Sequence, residues 1–242
     1  MNDTQLINNF QQARGDDKLV VLEGFHALKH ALRFGGEVTN SVTPDKTKLL
    51  ELAEQLAPDL NKIIQKLVRE IDSNTYNRLA PIPSRSGVIS IAKRPNYSLD
   101  TISPRGKIVL LDDPRDHQNV GAVIRVSAAA DATTVLTTGQ LNPWKPSVLR
   151  GSAGLHFALP VIRVTVQEIL ALGRPLIGLD EHGTDFQGGS LETNSVLVFG
   201  SERAGISPRL RENLSSLVRI PMASGVSSLN LATSVAIALY SV

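Results

Sequence analysis

Five short runs punctuate the second half of the chain: residues 107–112, 133–138, 157–161, 175–180 and 196–199. They are rich in β-branched residues and almost unbroken in apolar character. A strand with one wet face alternates polar and apolar side chains. A strand without alternation must be covered on both faces, as in a parallel sheet flanked by helices. Helical spacing fits between the runs, most clearly over residues 120–130 and 228–241. The strand–helix alternation predicts an α/β fold. No apolar run reaches 18 residues, so a transmembrane helix is not expected. The chain has no cysteine, which excludes disulfides, thiolate zinc sites and cysteine nucleophiles and is compatible with a cytosolic protein. Its opening residues, Met1 to Gln5, lack a basic and then apolar signal segment.

The first half is organised differently. Leu19 to Leu22 form a short strand candidate, and Phe25, Leu28, Ala31 and Leu32 share a helical face that Gly35-Gly36 ends. Thr43-Pro44 opens a second helix with Leu49, Leu52, Ala53 and Leu56 as its stripe. Residues 88–92 read as another strand. A polar seam with two prolines and a glycine runs from Lys93 to Gly106 and interrupts both periodicities. The expected division is therefore a smaller α/β domain over residues 1–94, a linker over 95–105, and a second domain over 106–242. His26 and His30 stand at helical spacing, but no third ligand lies nearby, and a solvated or partly buried pair explains them better than a metal. Residues 1–98 mix seven Lys with six Arg, whereas residues 99–242 carry ten Arg and two Lys against twelve acids. Arginine suits forked contacts with phosphate.

Familiar α/β motifs are missing. There is no G-x-x-x-x-G-K-[ST], no G-x-G-x-x-G after the first strand of the second domain, and no G-x-S-x-G. Asn142-Pro143-Trp144 bears a faint likeness to the N-P-P-aromatic loop of amino-group methyltransferases, and a proline-bounded turn with a packed Trp accounts for it better.

Three segments stand out. In the first, Asp112 to Arg125, a strand end runs through a polar turn into a helix, with Asn119 a candidate N-cap and Arg125 placed to pair with an acid or to meet an anionic group. In the second, Gly200 and Gly205 bracket Glu202 and Arg203 directly after an apolar strand. Open α/β sheets bind ligands at such carboxyl ends. In the third, Ile220-Pro-Met leads through small residues to Ser228-Leu-Asn230 and a helix rich in Ala, Ser and Thr.

Together these segments resemble the SpoU (TrmH-like) branch of the SPOUT trefoil-knot RNA methyltransferases. The likeness is carried by Asn119-Val-Gly-Ala-Val-Ile-Arg125, Gly200-Ser-Glu202-Arg-Ala-Gly205, and Ile220-Pro-Met with Ser228-Leu-Asn230, and it spans about residues 106–242. The chain differs from the family's pattern at Ala130-Asp131, where an aromatic–Gly pair is frequent, and at Gln118, where Pro is common. The resemblance implies a knotted C-terminal parallel-sheet domain, S-adenosylmethionine as cofactor with no metal, and methyl transfer to a ribose 2′-hydroxyl of RNA, with ribosomal RNA the favoured substrate and transfer RNA the alternative. It implies that Leu179, Gly200, Ile220 and Leu229 line the cofactor pocket. Arg125 would be the catalytic residue, with Asn119, Glu202, Ser228 and Asn230 organising it. Arginine is protonated at neutral pH, so Arg125 either acts as a base with help from a substrate phosphate or only positions the phosphate. Glu23-Gly24-Phe25-His26 and Ser86-Gly87-Val88 resemble the small α/β domain, related to ribosomal kink-turn binders, that precedes the knot in many rRNA members. A cytoplasmic homodimer through the knot is the implied assembly. Base methylation on the same fold is less favoured because the motifs match the ribose-methylating branch. The competing class is a non-catalytic RNA-binding protein with a decayed knot, against which the intact Arg125, Glu202 and Asn230 argue.

Overall fold

The computed structural model describes residues 2–80, 84–186, 189 and 191–241. The chain runs α1 (Asp3–Gly15), β1 (Leu19–Glu23), α2 (Phe25–Arg33), β2 (Val38–Thr43), α3 (Lys46–Leu56), α4 (Asn61–Leu67), β3 (Arg69–Glu70), α5 (Ser73–Leu79) and β4 (Ile89–Lys93). It continues with β5 (Ile108–Leu111), α6 (His117–Ala129), β6 (Thr134–Thr137), α7 (Pro146–Gly151), β7 (Val161–Arg163), α8 (Val166–Ala171), β8 (Leu176–Asp185) and β9 (Val196–Phe199), and ends with α9 (Pro208–Arg211), β10 (Ser216–Arg219) and α10 (Leu231–Tyr240).

The chain divides into two compact units. One holds residues 1–96 together with 144–158, and the other holds 97–143 and 159–242. The expected boundary near residues 95–105 is therefore incomplete, because a stretch from the middle of the predicted second domain packs within the first unit. The cause is local chemistry. Glu23 ends β1 with its side chain 5% exposed, and its two oxygens accept from Arg14 Nη2 at 3.0 Å and Arg150 Nη2 at 2.6 Å. A carboxylate this buried needs such partners. Trp144 is buried against His156 and Phe157, with the Arg94 guanidinium 5.0 Å from the indole centre. This is the packed Trp expected of the proline-bounded turn. His30 Nδ1 lies 2.7 Å from the Ala153 carbonyl oxygen, and burial pushes the His30 imidazole below its ordinary value. With the inserted stretch held this way, Leu155–Phe157 form a 3-10 turn, and the strand predicted from residue 157 begins only at Val161.

The first unit has a four-stranded mixed sheet in the order β1-β4-β2-β3. Leu6, Ile7 and Phe10 of α1 cover one cluster with Val21, Val42 and Ile89. Phe25 and Leu28 of α2 join Leu49 and Ala53 of α3 in another. The α3 stripe is narrower than expected, since Leu56 is 44% exposed.

The second unit holds a six-stranded parallel sheet in the order β10-β8-β9-β5-β6-β7. Every residue of the central strands β5 and β9 is buried, which is why those two runs carry no alternation. From β5 the chain builds outward to β6 and β7. It then crosses to build β8, β9 and β10 on the other side. The order therefore reverses between β5 and β9, and the carboxyl ends of those two strands form the switch point where such sheets bind ligands. β8 outlasts its predicted end. Ile177 and Gly178 pair with Ser216 and Leu217, the next pairing is Thr184 with Val218, and residues 179–183 leave the ladder between them. β10, half exposed at the edge, has too little apolar content to be seen in the sequence. After α6, Asp131 adopts φ +56, a conformation Asp tolerates, where the family pattern frequently has glycine.

Gly154 tests the packing of the inserted stretch. It has φ +76, and a Cβ there would lie 2.8 Å from the Ala27 Cα. Gly35 has φ +75 but nothing within 4 Å of its would-be Cβ. Gly35→Ala should cost only the left-handed strain of about 1–2 kcal/mol, and Gly154→Ala clearly more, read as the difference in urea midpoints. Equal losses would show that the close approach at Gly154 carries no energy.

Candidate functional site

Local structure at the switch point begins with Asp112, which follows β5 and is 4% exposed. Thr138 Oγ1, just past β6, donates to Asp112 Oδ1 at 2.7 Å, and the Ser207 backbone N–H, beyond β9, donates to Oδ2 at 2.7 Å. One carboxylate thus fixes the ends of three parallel strands. Thr138 Oγ1 also accepts from the Asp113 N–H at 2.8 Å, holding Asp113 at φ +46.

Beyond this turn, α6 is capped by Asp116, whose side chain accepts from the Gln118 and Asn119 backbone N–H groups. The expected N-cap, Asn119, is therefore a first-turn residue. Its side chain, relieved of capping, reaches across the switch point and donates from Nδ2 to Glu202 Oε1 at 2.8 Å. Asn230 caps α10: its Oδ1 accepts from the Ala232 N–H at 2.9 Å, and its Nδ2 donates to Asn119 Oδ1 at 3.0 Å. The direction of the chain Asn230→Asn119→Glu202 is forced. A backbone donor fixes the Asn230 amide, Asn230 fixes Asn119, and Asn119 presents its NH₂ to a carboxylate that accepts. Such chains polarise one another.

Glu202 is carried by a tight turn after β9. Ser201 and Gly205 exchange both backbone hydrogen bonds at 3.0 Å, and a Cβ on Gly200 would sit 2.1 Å from the Gly205 carbonyl carbon. Glycine at position 200 is thus a steric requirement of the turn.

Around these groups lies a cavity of about 550 Å³. Leu179, Gly200, Ile220 and Leu229 all line it, and so do Asn119, Glu202, Ser228 and Asn230. Its size and mixed lining, with Phe199, Ile206 and Met222 beside acids and amides, fit a nucleoside-sized ligand. Arg125 is the one predicted residue that does not line it. Arg125 is exposed on α6 and has no hydrogen bond or ion pair among the described residues.

Sequence reasoning missed the acidic wall, Asp180 and Glu181, in the segment that leaves the β8 ladder. Burial pushes the Asp180 carboxyl up. Hydrogen bonds from the His182 backbone and ring and from the Arg211 guanidinium outweigh burial and hold it below the ordinary carboxylate range. The available signal was an Asp-Glu pair directly after an apolar run, where a parallel strand ends. Among the described residues no group of three or more His, Asp or Glu is arranged to hold a metal ion, and no helix is long and apolar enough to cross a membrane.

Residues 106–240 match the SpoU rRNA Methylase family. A 23S rRNA (adenosine(1067)-2′-O)-methyltransferase of Streptomyces azureus is 31% identical over 98% of this chain and 90% of its own length. A 23S rRNA (guanosine(2553)-2′-O)-methyltransferase of Bacillus subtilis is 26% identical over 91% of this chain and 86% of its own. Among solved structures, the SpoU methyltransferase AviRb from Streptomyces viridochromogenes, in complex with AdoMet, superposes with a TM-score of 0.77 at 25% identity, covering 98% of this chain and 96% of that one.

Asn230 separates two roles in one side chain. Asn230→Asp keeps an oxygen for the Ala232 N–H, so the melting temperature should hardly change. It removes the donor to Asn119, and methyl transfer should fall at least tenfold. Asn230→Ala loses cap and donor together and should also cost about 1 kcal/mol of stability. If the Asp variant kept full activity, the amide chain would have no part in the reaction.

Proposed function

The chain belongs to the SpoU rRNA methylase family, and from that premise we propose that it transfers a methyl group from S-adenosylmethionine to a ribose 2′-hydroxyl of ribosomal RNA. The observation that carries this reading is the meeting of three sequence-distant motifs at one switch-point cavity, joined by the Asn230→Asn119→Glu202 chain. The two relatives described above are named for an adenosine and a guanosine of 23S rRNA. Both are named for ribosomal RNA, and this favours ribosomal over transfer RNA here.

Bound S-adenosylmethionine supplies a methyl on a sulfonium. Leu179, Gly200, Ile220 and Leu229 hold it, largely through backbone groups, while the closed Gly200–Gly205 turn keeps the wall rigid. Asn119, Glu202, Ser228 and Asn230 orient the acceptor side of the cavity. The 2′-O–CH₃ bond forms as the S–CH₃ bond breaks, and the hydroxyl proton leaves to water. Arg125 stabilises the reacting oxygen or its neighbouring phosphate through its guanidinium fork.

The finer architecture in this proposal is a trefoil knot in the second unit, with an RNA-binding first unit of the kink-turn-binder type. The strand order, with β8, β9 and β10 on one side of β5, supports the first. The cytoplasm, where ribosomal RNA is made and used in bacteria, is the proposed location. The active unit is a homodimer through the second unit. Its support is exposed apolar surface at Val226 (50%) and Tyr240 (61%), together with the general prevalence of two-fold pairs.

Calorimetry should give one S-adenosylmethionine per chain, and Arg125→Ala should keep that binding and the melting temperature, because Arg125 has no partner to lose among the described residues. The methylation rate should fall roughly a hundredfold, equivalent to about 3 kcal/mol of transition-state stabilisation. Arg125→Lys should be nearly as poor, lacking the planar fork. An unchanged single-turnover rate would end the assignment of Arg125, and absent cofactor binding would end the reading as a whole.

Sedimentation at micromolar concentration should give a dimer, and Tyr240→Asp should weaken it. A fully active monomer would remove the dimer from this proposal.

A further inference from the structure

A second cavity of about 580 Å³ adjoins the first and is lined by Arg115, Asp116, Asn119, Ser201, Glu202, Arg203 and Ala204. The two cavities share Asn119, Ser201, Glu202 and Arg203. Their common wall therefore includes the hydrogen-bonded Asn119–Glu202 pair. Resting on the function proposed above, we infer that this second cavity receives the acceptor nucleotide and that Arg115 and Arg203 grip a phosphate beside its ribose.

The two arginines are prepared differently for one task. Arg115 is already oriented. Its Nε and Nη2 donate to Asp113 Oδ2 at 3.2 and 2.7 Å, and its Nη1 edge has no partner among the described residues. Asp113 is fixed in turn by Thr138 and by its left-handed backbone. Gly139 leaves it room, since a Cβ there would lie 2.1 Å from Asp113 Oδ1. Arg203 stands at the exposed tip of the closed turn and makes no hydrogen bond or ion pair among the described residues. It lines both cavities.

The other groups of the second cavity explain why, within that lining, the ligand's charge falls to these two side chains. The α6 N-terminus is no free anion site, because Asp116 already occupies its N–H groups. Glu202 and Asp116 are acids and would repel a phosphate. Arg115 and Arg203 are the two cations of this lining, and guanidinium forks match phosphate oxygens. A nucleotide held there would have its ribose against the Asn119–Glu202 wall, with the methyl donor on the far side.

The test measures binding of a 23S rRNA transcript by the full-length chain across a salt series, together with KM for RNA and affinity for S-adenosylmethionine. Arg115→Ala and Arg203→Ala should each weaken RNA binding and raise KM about tenfold, in keeping with the loss of a charged hydrogen bond. Each should lower the slope of log affinity against log salt by about 0.7, one phosphate contact on a single strand. Cofactor affinity and melting temperature should stay as in the parent. Arg203→Lys should keep the slope while recovering only part of the KM. Unchanged slopes and KM in both variants would overturn the inference. So would a fall in cofactor affinity at Arg203→Ala with RNA binding intact, because that would put Arg203 on the donor's side. The binding readout is independent of methyl transfer. If the parent chain bound RNA but transferred no methyl, the proposed function would fail while the slopes would still decide the phosphate contacts.

Discussion

The buried Asp112 carboxylate is the interaction on which the second unit's chemistry depends. A parallel sheet delivers its strands to one edge, but hydrogen bonding along the strands stops there, and the loops beyond are free to diverge. Asp112 extends the order past the last ladder bond. One oxygen takes the Thr138 hydroxyl and the other takes the Ser207 N–H. Removing the carboxylate would leave both donors without a partner in a nearly dry place, at about 1–3 kcal/mol each. The geometric effect would be larger. Ser207 closes the segment that bears Glu202, and Thr138 steadies the turn that bears Arg115.

That order is passed on through neutral amides. Asn119 and Asn230 carry no charge of their own, yet their donors end on the Glu202 carboxylate, and the series begins at a backbone N–H of α10. A helix end, a second helix's first turn and a glycine-bracketed turn thereby share one hydrogen-bond direction. The dependence runs one way: the Ala232 N–H orients Asn230, and Asn230 orients Asn119. Arg125 stands outside this arrangement, exposed and without a partner among the described residues.

The central strands were readable because burial on both faces writes itself into unbroken apolar runs, as at Ile108–Leu111 and Val196–Phe199. Edge and short strands were not, since Ser216–Arg219 and Arg69–Glu70 are half or fully exposed and carry no such run. The motif residues were readable as residues, and their meeting at one cavity followed from strand ends. What holds them was hidden. Asp112 and its partners are separated by 26 and 95 positions, and nothing local distinguishes Asp112 from Asp113 beside it. Asn119 looked like a cap because caps and hydrogen-bond relays use the same side chain. Only the presence of Asp116 three residues earlier decides between them. The stretch 144–158 carries no local mark of its unit for a similar reason, since Arg150 pairs with Glu23 and Phe157 lies against Gly36, more than a hundred residues away.

That last feature bears on the order in which the protein can be completed. The first unit takes its closing piece, residues 144–158, from far downstream. When residue 96 has been joined, Glu23 has Arg14 but still lacks Arg150, and Gly36 has no Phe157 against it. Roughly 60 more residues must be made first, a wait on the order of 3–12 s at ~5–20 residues per second. During that interval β5 and β6 emerge, so strands of the second sheet exist before the first unit is finished. The amino-terminal part of this chain is made first and sealed late.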